Sequence, residues 1–260
     1  GREYLMSAIA LNSSMVTGAC VIGPAVAGVL VPAVGEGWCF LLNGLSYIPV
    51  IAGLVMITVG NRPPAEHRGS RLKAVVEGFH FAWRTRPIRA LLLLVGVVSL
   101  MGLPYTVLMP IFADQILRGG AQGLGVLMGA SGIGALTAAL TLLGRRGAVG
   151  LGNWVMVACG GCGVSLVLFA LSRNFWLSAI ILLPVGFCVM LQLASTNTLI
   201  QVMVPDQFRG RVMSMYSMMF VGMAPIGGLV SGVFANSFGA PAAIAAGGIA
   251  CFVAALVFRS

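Results

Sequence analysis

The chain has 260 residues, 59% of them hydrophobic and only 8% charged, with a mean hydropathy of +1.02 and a formal net charge of +9. A soluble domain carries about a quarter of its residues charged, so this composition excludes a chain that covers itself with a solvated surface. The basic residues fall in the gaps between apolar runs, which argues against a nucleic-acid-binding face, and the 36 glycines suit helices that pack closely in lipid.

A helix needs roughly 20 apolar residues to cross the hydrocarbon core. In chain order the sequence predicts eight such spans, at residues 8–31, 38–59, 90–112, 123–143, 152–171, 175–203, 212–236 and 241–258. Each run is too long, and too lacking in alternation, for a barrel strand. The six cysteines all lie within or at the edge of apolar segments, so they read as small packed hydrophobes rather than disulfides. The chain opens GREYL with no starting Met and no cleavable leader, and a processed or partial chain is expected.

Between the second and third spans lies one soluble stretch, residues 60–89, holding seven of the fifteen basic residues and two of the six acidic ones. Arg62-Pro63-Pro64 stops the second span, Ser70 is placed to cap a new helix, and Pro87 is expected to end it. Leu72, Val75, Val76, Phe79 and Trp83 share one face of that helix, with Arg71, Lys73 and Arg84 elsewhere on it. Such a helix is expected in the membrane plane, its tryptophan at the interface. His67 and His80 fall in this stretch and are given no role.

Eight spans put both chain ends on one side. One set of gaps holds Arg2, the seven basic residues of 60–89, Arg145, Arg146, Arg209, Arg211 and Arg259, thirteen of the fifteen; the opposite set holds Arg118 and Arg173. By the positive-inside rule both termini are cytoplasmic.

The two ends of the chain resemble each other. Glu3 and Leu5 before the first span answer to Asp206 and Phe208 before the seventh. Pro24 and Pro225 follow in mid-span, and glycines seven apart close each span, Gly28 with Gly35 and Gly232 with Gly239. If the chain is a duplication, spans one and two answer to spans seven and eight. The last six spans then form one complete half, residues 90–260, and residues 1–59 are the end of another whose first four helices lie upstream. Residues 60–89 join the halves.

Two halves joined by a long basic loop resemble the major facilitator superfamily. The run ACVIGPAVAG from Ala19 to Gly28 resembles the glycine–proline motif of its antiporters, with Ala19 and Ala27 where glycine is common. ALNS from Ala10, FLLNGLSY from Phe40, EGFHFAWRTRPIRALLLL from Glu77 and VPDQFRGRVMSMYS from Val204 are similar to the enterobactin-exporter-like, or transmembrane secretion effector, branch. The resemblance implies an all-α membrane protein of the major facilitator fold, its eight transmembrane helices being helices five to twelve of twelve. It implies a secondary transporter exporting a drug-like compound or siderophore by alternating access. It also implies a bacterial inner (plasma) membrane location and, through Ala19, Gly23, Pro24 and Gly28, proton antiport.

On the same resemblance the third and sixth spans answer to helices seven and ten, which line the central cavity. Tyr105, Gln192 and Asn197 are then the substrate-pathway candidates, on spans that also carry Ser99, Thr106, Ser195, Thr196 and Gln201. Polar residues inside spans mark pathways. Arg145, Arg146, Asp206, Arg209 and Arg211 lie in short turns on the basic side and are candidates for a cytoplasmic gate. No Asp, Glu, Lys or Arg lies deep in a span; Asp114 stands only at the outer end of the third. If protons drive the transport, their carboxylate is expected in the upstream helices.

Two motifs suggest enzymes. Gly129-Ala130-Ser131-Gly132 is similar to the serine motif of rhomboid proteases, but both histidines lie outside the spans, where neither serves as its base. Cys159 and Cys162 have redox spacing but sit inside the fifth span, where no thiolate forms. No enzyme activity, cofactor or metal is expected. The expected partners are the lipid bilayer, a small-molecule substrate and protons, with no nucleic acid. The alternative reading is a transporter-derived scaffold or inactive fragment.

Overall fold

A computed structural model describes residues 34–56, 71–143 and 150–259. All the regular structure among them is helical. Among the described residues seven helices are long and apolar enough to cross a membrane. They are α1 (Glu36–Met56), α3 (Arg86–Ile116), α4 (Gly120–Leu143), α5 (Leu151–Leu171), α6 (Phe175–Met203), α7 (Asp206–Phe238) and α8 (Ala240–Arg259). The eighth helix, α2 (Arg71–Arg84), is the amphipathic one of the basic stretch. The predicted span at 8–31, with Ala19, Gly23, Pro24 and Gly28, lies outside the described residues, as do Ser70, Arg145 and Arg146.

The chain's own chemistry sets these limits. Asn174 caps α6 by accepting a hydrogen bond from the Leu177 N–H at 3.2 Å, and Ser178 donates to Ser172 at 2.8 Å beneath it. α7 starts at Asp206 rather than at residue 212, because Pro205 precedes it and an acid in the first turn suits the helix dipole. Pro87 does not end α2. That helix stops at Arg84, and Pro87 stands in the first turn of α3, where a missing N–H leaves no bond unmade. Gly239, at φ +88°, makes the sharp turn from α7 into α8.

Three π-helical turns interrupt the spans. Val98–Gly102 and Phe112–Ile116 lie in α3, and Met218–Gly222 lies in α7. The first precedes Pro104 and the third precedes Pro225. Proline has no N–H and crowds the carbonyl four residues back. A wider turn relieves that conflict, as where the Leu103 N–H bonds to the Val98 carbonyl at 2.9 Å.

α3 to α8 form one bundle with a repeated packing pattern. α4 meets α6 where a side chain on Gly134 would overlap the Leu183 carbonyl, and one on Gly186 the Ser131 carbonyl. α7 meets α3 in the same manner, Gly227 lying against the Leu100 carbonyl. α5 meets α6 at Gly161 and Cys188; α8 meets α3 at Gly247 against the Met101 carbonyl and at Gly102 beside Cys251. α5 and α8 meet each other at Gly163 and Gly248. The contacts of α4 and α5 with α6 are thus repeated by those of α7 and α8 with α3. Between apolar helices in lipid no hydrophobic drive exists, so close backbone approach supplies the attraction.

A small apolar cluster gathers at Ala138, Ala158 and Leu191, and two larger ones fill the bundle. One of these two surrounds Tyr105, Phe112, Leu127, Phe169, Leu182 and Ile244, with the Phe112 and Phe169 rings stacked 4.7 Å apart. The other, at the end where α2 packs, surrounds Ile88, Val95, Val155, Ile200, Val212 and Tyr216. α1 stands apart, with none of its apolar window buried.

These crossings make a stability test. Gly186→Ala forces a methyl into the Ser131 carbonyl and should cost about 1–3 kcal/mol. Gly129→Ala, on the facing helix with nothing within 4 Å, should hold or gain up to about 1 kcal/mol. Unfolding of both variants in mixed detergent measures the difference. Equal effects would contradict the packing described.

Candidate functional site

The polar side chains that concern a site gather in two places. The first is the middle of α3 and α6. Tyr105 is buried on α3 and shares a 2.8 Å hydrogen bond with the Ser131 hydroxyl of α4. Ser99 on α3 and Gln192, Ser195 and Thr196 on α6 are wholly enclosed. The polar atoms of those four side chains find no hydrogen-bond partner. The three residues of α6 lie on one face, at i, i+3 and i+4. An unsatisfied buried polar group costs about 1–3 kcal/mol, so their presence asks for a reason other than stability.

The second place is the end where α2 packs. The Gln201 amide donates to the Asn197 side-chain oxygen. The Tyr216 hydroxyl of α7 lies against Asn197 and donates to the Leu193 carbonyl at 3.1 Å. Arg209 pairs with Asp206 at 2.7 Å and donates to the Gln201 carbonyl at 3.2 Å. α6 and the start of α7 are thereby sewn together. Of the three sequence-predicted pathway residues, Tyr105 and Gln192 lie inside the bundle and half-buried Asn197 joins this network.

α2 continues the network outward. Its Glu77 pairs with Arg211 at 3.4 Å, and Phe81 stacks on Phe208 with centroids 4.6 Å apart. The Arg211 guanidinium also lies 5.6 Å from the Phe208 ring. Gly78 lets the helices close, since a Cβ there would stand 2.7 Å from that of Arg211. Sequence reasoning missed Glu77, Gly78, Phe81, Phe208 and Tyr216 as site residues. The periodicity pointed to the other face of α2. The weaker signal was Gly78, Phe81 and Ala82 at i, i+3 and i+4.

The magnitudes decide what holds α2 in place. Glu77 and Arg211 keep 53% and 35% of their side chains exposed, so their pair is worth about 0–1 kcal/mol. The aromatic stack brings about 0.5–1.5 kcal/mol beyond its buried area. Apolar contact therefore holds the latch and the ion pair orients it.

The enzyme-like motifs are engaged in packing. Ser131 is bonded to Tyr105, and Cys159 donates to the Cys251 carbonyl at 3.2 Å rather than to Cys162. His80 is exposed on α2. Among the described residues no group of acids, histidines and cysteines is arranged to hold a metal ion.

Spans with charge only at their ends, glycine crossings and a charged latch at one end define a polytopic α-helical membrane protein. The family model described as transmembrane secretion effector matches residues 1–260, and the chain belongs to that family of the major facilitator superfamily. It is 26% identical over 253 residues to the Staphyloferrin A transporter of Staphylococcus aureus, covering 96% of this chain and 62% of that protein. It is 27% identical over 250 residues to the Enterobactin exporter EntS of Escherichia coli O1:K1, covering 92% and 59%. The chain thus spans 62% and 59% of the length of these curated relatives.

The latch makes a testable contrast. Phe81→Ala should speed amide exchange of α2 roughly tenfold, near the upper end of what an aromatic stack contributes. Glu77→Gln should speed it by no more than about fivefold, the ceiling for an exposed pair. Hydrogen exchange of the reconstituted protein reads both, and a larger effect at Glu77 would contradict the assignment.

Proposed function

We propose that this chain works in a secondary transporter that exports a small molecule of siderophore type by alternating access. Its family and the names of its relatives support the substrate class. The observation that carries the reading is where the unpaired polar groups lie. Ser99 is on α3, and Gln192, Ser195 and Thr196 are on α6, the two helices that occupy equivalent places in the repeated packing. A midplane site at the interface of repeats has this pattern. Tyr105, Gln192 and Asn197 remain its candidate contacts.

In this reading α3 to α8 are one half, residues 1–59 belong to the other, and residues 60–89 join them on the cytoplasmic side. Both termini are cytoplasmic and the membrane is a bacterial inner membrane. α7 buries only 6% of its apolar window and α4 28%, against 56% for α3. Those open faces suit helices against which a second bundle rocks. Asp206, Arg209 and Arg211, with Arg145 and Arg146, form the cytoplasmic gate. If protons drive export, their carboxylate belongs to helices beyond those described, since none lies deep in α1 or α3 to α8. Ala19, Gly23, Pro24 and Gly28 would seal the outer side.

The test is flux of enterobactin and of staphyloferrin A from proteoliposomes holding the whole protein, with and without an imposed pH gradient. Flux of at least one above that of protein-free vesicles is expected. Gln192→Leu should lower it roughly tenfold, the worth of about one hydrogen bond, while leaving the fold as stable or more so. No flux of either compound, or unchanged flux in the variant together with lost stability, would refute the reading.

A further inference from the structure

The apolar stripe of α2 that the sequence points to is not the face that packs on protein. Gly78 and Ala82 are buried, and Phe81 lies on Phe208. Val76, Phe79 and Trp83, on the opposite side of the helix, are 63%, 52% and 48% exposed. Phe79 and Trp83 stack with centroids 5.6 Å apart, so the exposed surface is one preformed aromatic plate. Helices left with an apolar face need something to cover it.

We infer that this plate docks on the headgroup layer of the bilayer, and that Arg84, Arg86 and Arg89 beside it recognise anionic phospholipid. Three observations favour a lipid occupant over protein. First, Thr85 alone separates α2 from the membrane-length helix α3, so the stripe ends where the chain enters hydrocarbon. Second, Trp83 stands at that end, and an indole is the side chain best suited to the boundary of water and lipid. Third, the charge there is wholly positive. Arg84 and Arg86 are exposed, and the Arg89 guanidinium lies 6.0 Å from the Trp83 ring. The acid of this helix that the structure describes in full, Glu77, is turned to Arg211 instead.

Each basic side chain near an anionic surface strengthens attachment by about fivefold. The aromatic plate sets depth and the arginines set lipid preference. Since the other face of α2 holds Phe208 and Arg211, bilayer composition is felt directly at the start of α7. None of this depends on which molecule the protein carries.

The experiment compares the intact chain with Trp83→Phe, a conservative change on an exposed face, in vesicles of phosphatidylcholine with and without phosphatidylglycerol. The difference between the two emission spectra isolates Trp83. That difference should be quenched at least about twofold by lipids brominated near the headgroup, as for a side chain at the acyl boundary. Brominated phosphatidylglycerol should quench it more than brominated phosphatidylcholine, and Arg84→Gln with Arg86→Gln should remove that preference. Aqueous acrylamide should quench it little. Strong acrylamide quenching without lipid quenching would mean a solvated helix. Protection from both quenchers would mean that protein covers the plate. An equal response to the two brominated lipids would remove the anionic preference. Each of these three results overturns the inference.

Discussion

The exclusion of charge from hydrocarbon is the constraint on which the rest of this molecule depends. A charged side chain at the centre of a membrane helix costs about 2.5–3.5 kcal/mol even on the most lenient scale. Seven described helices meet that limit by carrying their charges only at their ends. The acid and arginine pairs of the latch accordingly stand at the ends of helices and not within them. Backbone groups obey the same rule, which is why the described spans are helical and why Pro104 and Pro225 sit beside π turns rather than beside unpaired stretches.

With charge excluded and no hydrophobic drive between helices in lipid, contact has to come from shape. Glycine supplies it here at particular places, where carbonyls of one helix meet the bare backbone of the next. The repeat of these contacts, α4 and α5 on α6 as α7 and α8 on α3, gives α3 and α6 matching positions at the centre. Among the described residues, the buried polar side chains without partners lie on those two helices. A protein selected for stability alone would have replaced them, and sites that violate a packing rule are the places where function is expected.

Much of this was legible in the amino-acid sequence because it rests on one-dimensional quantities. Length and apolarity located the seven described spans, most of them to within a few residues, and for α6 the limits coincide with those predicted, since Asn174 announces its own cap. Where local chemistry competes with the apolar pattern, the sequence misleads. Pro87 reads equally as the end of one helix and the first turn of the next. α7 reaches back to Asp206 through a polar turn that no hydropathy window includes. The packed face of α2 was hidden because Gly78 and Ala82 are small, and a periodicity argument weights bulk. The bond between Tyr105 and Ser131 joins residues 26 apart, and no spacing rule announces such a pair. Gln192 was legible as an unusual residue in a span, but its lack of any partner belongs to three dimensions alone.

The proposed topology has alternating spans set α2, the latch and both termini on one face of the membrane, opposite the turn between α3 and α4. The most direct measurement uses a cysteine-depleted chain with one new thiol, Ser70→Cys or Ala121→Cys, and a thiol reagent that does not cross membranes. The cysteine at 70 should react only from the cytoplasmic side and the one at 121 only from outside. Reaction of both from the same side would contradict the span assignment, and with it the gate and the docking surface built on it.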